Sequence, residues 1–351
     1  MPSFLCGSLS SSAATPPRRR RPLRRRVLLL GIGGAGKSTI FRQIQRPPMS
    51  YKDLQSLKTT IHNLVIAAIK SLVDGAALLS QTHPSVQTTL PENSSIQRSV
   101  QYVTEELEFD RELLPKAARH IANLWAHPAI QRTYELRYHF GIHIPDSAPY
   151  FFDKINTITA LGYVPSSMDF IHCTVKSSGI TDTITDDGLQ FLDLGGRRTE
   201  RRKWTRCFDS VVGVVFVASL GDFMEPLEED PTVNRLAESV AVFEEIANNP
   251  LCQGVLLVVS FTKTDLFSDA LRRWRLQDLY PEYSGGADPQ KAFAFIKSLF
   301  LSKVRRQSTS SQIVFQTCNA IDRTSSNVLI RTIRDVIRHT ETPTPAGRTK
   351  L

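Results

Sequence analysis

The sequence predicts an α/β fold: a mostly parallel six-stranded sheet interrupted by an all-helical insert. Three observations carry this expectation. An apolar strand runs into a glycine loop and then a helix at RVLLLGIGGAGKSTIFRQIQ, residues 26–45. From about residue 50 to 145 the pattern is helical. From Val175 onward strands alternate with helices, as in a sheet covered on both faces. At 351 residues, 41% hydrophobic and 22% charged, the chain has room for two domains.

Each element has its own signal. The helix after the glycine loop is halted by Pro47 and Pro48. Leu54, Leu57, Ile61, Leu64, Val65, Ala68, Ile69 and Leu72 recur at helical spacing and make one apolar stripe. Further helices are expected over 98–108, 111–125 and 128–139, after a Pro/Ser/Thr-rich connection at 81–95. ITDTIT (180–185), a tight turn at Asp187–Gly188 and LQFLDL (189–194) form a β-hairpin. VVGVVFVASL (211–220) is a buried strand, followed by a helix near 231–248 and the strand GVLLVVSF (254–261). A helix near 289–305, the strand QIVFQT (312–317) and a helix over 325–339 complete the order, and no internal repeat is present. The expected organisation is a basic tail (1–26), an α/β domain (27–46 plus 175–340), a helical insert with its linkers (47–174) and a flexible C-terminal tail (341–351).

The formal net charge of +9 is badly distributed. Residues 1–26 hold seven arginines and no acid, and without them the chain has 36 basic against 34 acidic residues. The folded body is nearly neutral, so its charge does not point to nucleic acid. The five cysteines, Cys6, Cys173, Cys207, Cys252 and Cys318, are scattered and lack metal-site spacing, which suits reduced thiols in the cytoplasm. No apolar run approaches the roughly 20 residues that span a bilayer. The Ser-, Pro- and Arg-rich tail is compatible with a targeting segment, a solvated tail, or a basic strip on anionic lipid aided by palmitoylation of Cys6. The last reading would place the protein peripherally on the inner face of the plasma membrane. Pro2 excludes N-myristoylation.

GIGGAGKS, residues 31–38, matches GxxxxGK[ST] between a strand and a helix. Gly31, Gly33, Gly34, Ala35 and Gly36 would turn backbone N–H groups inward as an anion nest, and the helix N-terminus adds its positive end. Lys37 would reach the β- and γ-phosphates, and Ser38 would ligate Mg²⁺. This motif alone leaves kinase, ATPase and GTPase open. The hairpin narrows the choice, because its open end brings Ser177 and Asp193 together. Ser177 supplies a second hydroxyl to the metal, and Asp193 holds it through water. Gly196 offers a backbone N–H to a γ-phosphate, so the nucleotide state would order or release this loop. At the end of the 254–261 strand, TKTD (262–265) offers a carboxylate, Asp265, that can accept from both N1–H and N2–H of guanine. Lys263 would lay its stem over the base.

Taken in order, GxxxxGKST, VKSSGI (175–180), DLGGRRTERRKW (193–204), TKTDLF (262–267) and YPEYSG (280–285) resemble the alpha subunits of heterotrimeric G proteins. The similarity covers about 27–340 and includes a helical insert of about 130 residues, with LWAHPAIQRTYE (124–135) and PDSAPYFF (145–152). The resemblance implies a Ras-like P-loop GTPase domain and a GTP/GDP switch with Mg²⁺. It implies nucleotide contacts by Thr39, Ile171, His172, Cys173, Gly195 and Thr262 besides those named above. It also implies a βγ dimer bound through Glu200, Lys203, Trp204, Cys207 and Phe208 of switch II, and activation by a membrane receptor.

Several positions depart from the family pattern. The catalytic arginine before Val-Lys is Thr174, and the glutamine that orients the attacking water is Arg197, whose guanidinium only donates. Arg197 either supplies the missing positive charge or is an ordinary solvated arginine. The P-loop glutamate that pairs with the catalytic arginine is Gly34. The expectation is GTP hydrolysis far below the family's usual rate, or none. Thr262 replaces an asparagine that ties its loop to the P-loop and should lose part of that network. TCNA (317–320) replaces TCAT, leaving open whether Asn319 or Ala320 meets the base. Trp204 could equally be core packing. The basic tail stands where the family has an amphipathic helix, which weakens the βγ contact, and TETPTPAGRTKL lacks the family's ending, which argues against receptor coupling.

Overall fold

The computed structural model describes residues 25–45, 50–92, 94–173, 179–305 and 313–341. Strand β1 (Arg25–Leu30) leads through the glycine loop into α1 (Lys37–Ile44). The insert begins with α2 (Tyr51–Thr82), whose Ser50 side chain accepts from the Asp53 N–H while Asp53 accepts from the Ser50 N–H. By length and mean hydropathy α2 would suit a membrane span, against the expectation from uninterrupted apolar runs. Its apolar stripe, including Leu57, Ile61, Val65, Ile69 and Leu72, is instead the spine of the insert's own core. Around it pack α3 (Ser95–Gln101), α4 (Pro115–Trp125), α5 (Pro128–Leu136), α6 (Ala148–Asp153), α7 (Ile155–Ile158) and α8 (Ser167–His172).

Two helix boundaries differ from expectation. The 98–108 segment is α3 plus a single wide turn at Tyr102–Glu106, and the 111–125 helix starts only at Pro115. Proline suits the first helical turn, where its missing N–H is not needed, and is rejected inside one.

Beyond the insert, β2 (Ile180–Ile184) pairs antiparallel with β3 (Leu189–Leu194). After α9 (Arg198–Arg201) and β4 (Val211–Ser219), a small ribbon forms from β5 (Pro226–Leu227) and β6 (Asp230–Asn234). Helix α10 (Arg235–Ala247) therefore starts later than 231, because Pro231 sits in an extended segment and Asn234 caps the helix by accepting from the Leu236 and Ala237 N–H groups. Then come β7 (Leu256–Thr262), α11 (Thr264–Arg273), α12 (Leu276–Leu279), α13 (Pro289–Ser302), β8 (Ile313–Thr317) and α14 (Arg323–Glu341).

The main sheet has six strands in the order β2-β3-β1-β4-β7-β8, with only the β2–β3 pair antiparallel. β4 and β7 are buried along almost their whole length, as strands covered on both faces must be. A second core runs through this sheet and its helices, with Phe216, Phe243, Phe261 and Phe300 meeting edge to face or tilted. The carboxyl ends of β1, β3, β4 and β7 open onto one side, where open α/β sheets bind ligands.

Candidate functional site

Register brings the phosphate loop and the acid together. Leu29 in β1 pairs with Asp193 in β3, so the glycine loop leaves the sheet beside that carboxylate. Gly31 has φ +138°, and a Cβ there would lie 2.2 Å from the Val217 carbonyl oxygen, so no side chain fits. A Cβ on Gly196 would lie 2.4 Å from both the Gly31 carbonyl oxygen and Lys37 Nζ. The 193–204 loop thus rests its glycine directly on the phosphate loop. Ala35 is buried, Ser38 and Thr39 are half-buried in the first turn of α1, and Gly195 is buried behind Asp193.

Lys37 is buried and donates to the Ile32 carbonyl at 2.7 Å. Its pKa is pushed down to about 8, chiefly by burial; Asp193 opposes the shift, while Arg201 and Arg235 reinforce it. The acid inventory around Lys37 is thus too small to hold its charge firmly, and an incoming anion would relieve the deficit.

The basic residues after Gly196 point mostly toward acids. Arg197 pairs with Glu228 at 2.8 Å, and Arg198 pairs with Asp230 and Glu238 at 3.0 and 3.1 Å. Arg201 reaches Glu238 at 2.7 Å and donates to the Gly196 carbonyl at 2.9 Å. Trp204 and Cys207 are buried in the main core, and the Trp204 indole donates to the Gly195 carbonyl at 3.0 Å. Of the proposed partner-facing residues, Lys203 is exposed and Glu200 and Phe208 are half-buried; Glu200 accepts from Lys203 and from the Gly179 N–H. Trp204 and Cys207 are core in this arrangement.

At the other end of the cleft, the Thr262 hydroxyl donates to the Ala35 carbonyl at 2.6 Å, so the shorter side chain keeps one tie between the TKTD loop and the phosphate loop. Lys263 adopts a left-handed backbone, φ +54°, and its ammonium is held at 2.7 Å by both Asp146 of the insert and Asp222. Asp265 is exposed in the first turn of α11, close enough to His172 for its charge to oppose the burial that lowers the imidazole pKa. His172 stacks on Tyr150 with ring centroids 3.8 Å apart, Ile171 is half-buried beside it, and the Cys173 carbonyl accepts from Arg42. Asn319 folds its side chain back to accept from the Ile321 N–H at 3.3 Å. Ala320 is buried, and its carbonyl accepts from Gln43 of α1 at 3.1 Å. Thr174 and Ser177 lie outside the described residues.

Sequence reasoning missed the residues that brace the cleft. Arg235 donates to the Gly33 carbonyl at 2.8 Å and pairs with Asp222 at 3.1 Å and Glu225 at 2.9 Å. It fills the space over Gly34: a Cβ there would lie 2.4 Å from its guanidinium. Burial opposes ionisation of Asp146, but Lys263 and Arg137 outweigh it and hold the carboxyl well below its usual range. Glu225 is pushed up to about 8, by burial first and then by Asp222. The available signal was position: Asp222 and Glu225 follow β4 directly, at the carboxyl edge where ligands bind.

The donor set suits Mg²⁺, a hard cation that prefers oxygen. Among the described residues the Ser38 hydroxyl and Asp193 carboxylate would hold it, beside a cradle that admits no extra side chain at Gly31 or Gly196.

The sequence matches the G-protein alpha subunit family over residues 10–337. It is 32% identical over 326 residues to the guanine nucleotide-binding protein alpha-2 subunit of Dictyostelium discoideum, covering 89% of this chain and 87% of that one. The alpha-4 subunit of the same organism is 33% identical over 321 residues, covering 89% and 88%. The alpha-17 subunit of Caenorhabditis briggsae is 29% identical over 317 residues, covering 89% and 87%.

Proposed function

The chain belongs to the G-protein alpha subunit family, and from that premise we propose that it is a GTP/GDP switch in receptor-linked signalling whose own GTP hydrolysis is slow. A guanine nucleotide-binding signalling subunit is what the family provides, and its members are in general GTPases. The slow rate rests on one observation. Arg197 stands where the family has its water-orienting glutamine, and its guanidinium is engaged with Glu228 at 2.8 Å. An arginine in that place cannot accept a proton from water, and this one is drawn toward an acid of the neighbouring loop.

Binding and hydrolysis separate cleanly in this reading. Lys37, the Gly31–Gly36 backbone and α1 grip the phosphates. Asp193 and Gly196 register the γ-phosphate, and Trp204 anchors the loop that moves. Mg²⁺, held by Ser38 and Asp193, would neutralise phosphate charge. Asp265 selects guanine, with Thr262 keeping its loop in place. A βγ dimer is the partner the family implies. Lys203 and Glu200 are presented to it here, while Trp204 and Cys207 would have to leave the core first. A cytoplasmic setting is part of this reading, drawn from the scattered spacing of the cysteines in the sequence.

Single-turnover phosphate release from preloaded GTP tests the rate. The expected result is retention of GTP for hours, with the pair Thr174→Arg and Arg197→Gln raising the rate by about 10³-fold or more. Brisk hydrolysis by the unmodified protein would overturn the slow-turnover reading. Retained GTP that the pair does not accelerate would favour a binding module without turnover.

A further inference from the structure

A cavity of about 530 Å³ lies on the seam between the helical insert and the α/β domain, with no phosphate-loop residue in its lining. One wall is the insert's Tyr138, His139 and Phe140, which follow α5. The other is built from the α/β domain, with Met224 and Pro226 after β4 and Trp274 at the end of α11. The volume falls within the range of about 300–1,000 Å³ typical of small-molecule sites.

Its lining chemistry narrows the ligand. No Lys, Arg, Asp or Glu lines the cavity, although a dense cluster of them lies just behind it. A charged ligand would be desolvated there without a partner. Four aromatic rings line it, and His139 and Trp274 close the seam by stacking across it, 13° from parallel with centroids 5.6 Å apart. The polar side chains of the wall are mostly committed. The Tyr138 hydroxyl donates to Asp146, Thr232 donates to Asp230 at 2.6 Å, and Asn234 caps α10 while donating to the Phe223 carbonyl at 2.7 Å. Among the described residues, no hydrogen bond engages the His139 imidazole or the Trp274 indole N–H. The indole can only donate.

We propose that this seam cavity binds an uncharged, planar aromatic molecule carrying a hydrogen-bond acceptor, and that occupancy clamps the insert to the α/β domain and slows nucleotide release. The coupling follows from place. The guanine nucleotide cleft draws on both bodies: the phosphate and TKTD loops on one side, and the Ile171–Cys173 end of the insert on the other. A ligand whose two walls belong to those same two bodies favours their closed arrangement. By linkage, a nucleotide that favours closure must strengthen ligand binding equally. The effect on release rests on the guanine nucleotide reading above; ligand binding itself does not.

Nile red, a neutral polycyclic dye, serves as the probe with the full chain. Saturable binding at one site is expected, weakened at least tenfold by Trp274→Ala or Phe140→Asp and severalfold by His139→Ala. His139 is exposed, so that variant keeps the test valid if the others fold poorly. Leu161→Ser, on an exposed apolar position elsewhere in the insert, should leave binding unchanged. In the unmodified protein, saturating dye should slow release of a fluorescent GDP analogue severalfold, and His139→Ala should blunt that effect. Dye binding insensitive to all three cavity variants, or lost in Leu161→Ser, would overturn the site. Dye excluded from a protein that sediments as a dimer would assign the cavity to a second copy and equally overturn it. Dye bound as expected with unchanged release would overturn the clamp. Failure to bind the GDP analogue at all would sink the nucleotide reading while the dye titration still judged the cavity.

Discussion

Two groups of ion pairs reach across the carboxyl edge of the sheet, and they differ mainly in exposure. One ties the 193–204 loop to the β5–β6 segment: Arg197 to Glu228, and Arg198 to Asp230, with side chains 31–42% exposed. The other lies at the seam with the insert: Lys263 crosses it to Asp146 and also pairs with Asp222, and Arg235 holds Asp222 and Glu225 within the α/β domain, with Asp222 only 3% exposed. The distances are alike, near 3 Å in both. Water screens the first group, whereas burial makes each missing partner in the second leave a charge stranded. The loop's pairs to the β5–β6 segment are cheap to break, whereas its Arg201–Glu238 pair, with side chains 15% and 13% exposed, and the pairs at the domain seam are not.

The largest expected effect comes from breaking the buried group. Lys263→Met leaves Asp146 and Asp222 with only Arg137 and Arg235 as counter-charges, and urea denaturation of the nucleotide-free protein should show a loss of about 1.5–3 kcal/mol. A loss under about 1 kcal/mol would mean that the seam is solvated and the contrast is false.

Lys37 sits between the two cases, buried and, among the described residues, hydrogen-bonded only to a carbonyl. Its pKa in the empty protein is depressed to about 8, and phosphates raise it. Nucleotide affinity should therefore be full below about pH 8 and fall as pH rises above it, by at most tenfold per unit, since the neutral amine must regain a proton to bind. Isothermal titration in buffers of different ionisation enthalpy at pH 9 should show proton uptake on binding. Its absence would mean that the lysine is already charged.

Thr262→Val removes the hydroxyl that holds the Ala35 carbonyl at a fully buried position. The expected cost is about 1–2 kcal/mol of stability, with a matching fall in guanine nucleotide affinity by equilibrium titration. The smallest effect belongs to the exposed pair. A double-mutant cycle on Arg197→Gln and Glu228→Gln should give a coupling below about 1 kcal/mol. A larger value would make this contact a lock on the loop and would align the two groups of ion pairs.

The fold was legible to the extent that its signals were local. β-branched runs marked β4 and β7, the i, i+3, i+4 stripe marked α2, and the Asp187–Gly188 turn marked the hairpin. One misplaced boundary was also local, since Pro115 marks the first turn of α4; the other was not, because Pro231 would suit a first helical turn and lies in β6 instead. Within the site, Gly31, Gly36, Lys37, Ser38 and Asp193 were readable because steric and charge demands on a phosphate loop leave few alternatives. Arg235 and Glu225 were not readable, since nothing in NRLAES or DFMEPL says that the guanidinium will cover Gly34, some 200 residues earlier in sequence.

The sequence by itself determined the backbone scaffold of the site. Glycines stand where no Cβ fits, a strand delivers Asp193 beside the loop, and the order of motifs belongs to a guanine nucleotide switch. Only the tertiary structure decided which charges meet. Lys263 finds Asp146, 117 residues away, and Arg197 finds Glu228. Long charged side chains choose partners by reach, desolvation and the acids that folding places nearby, and none of these is a property of the residues adjacent in the chain.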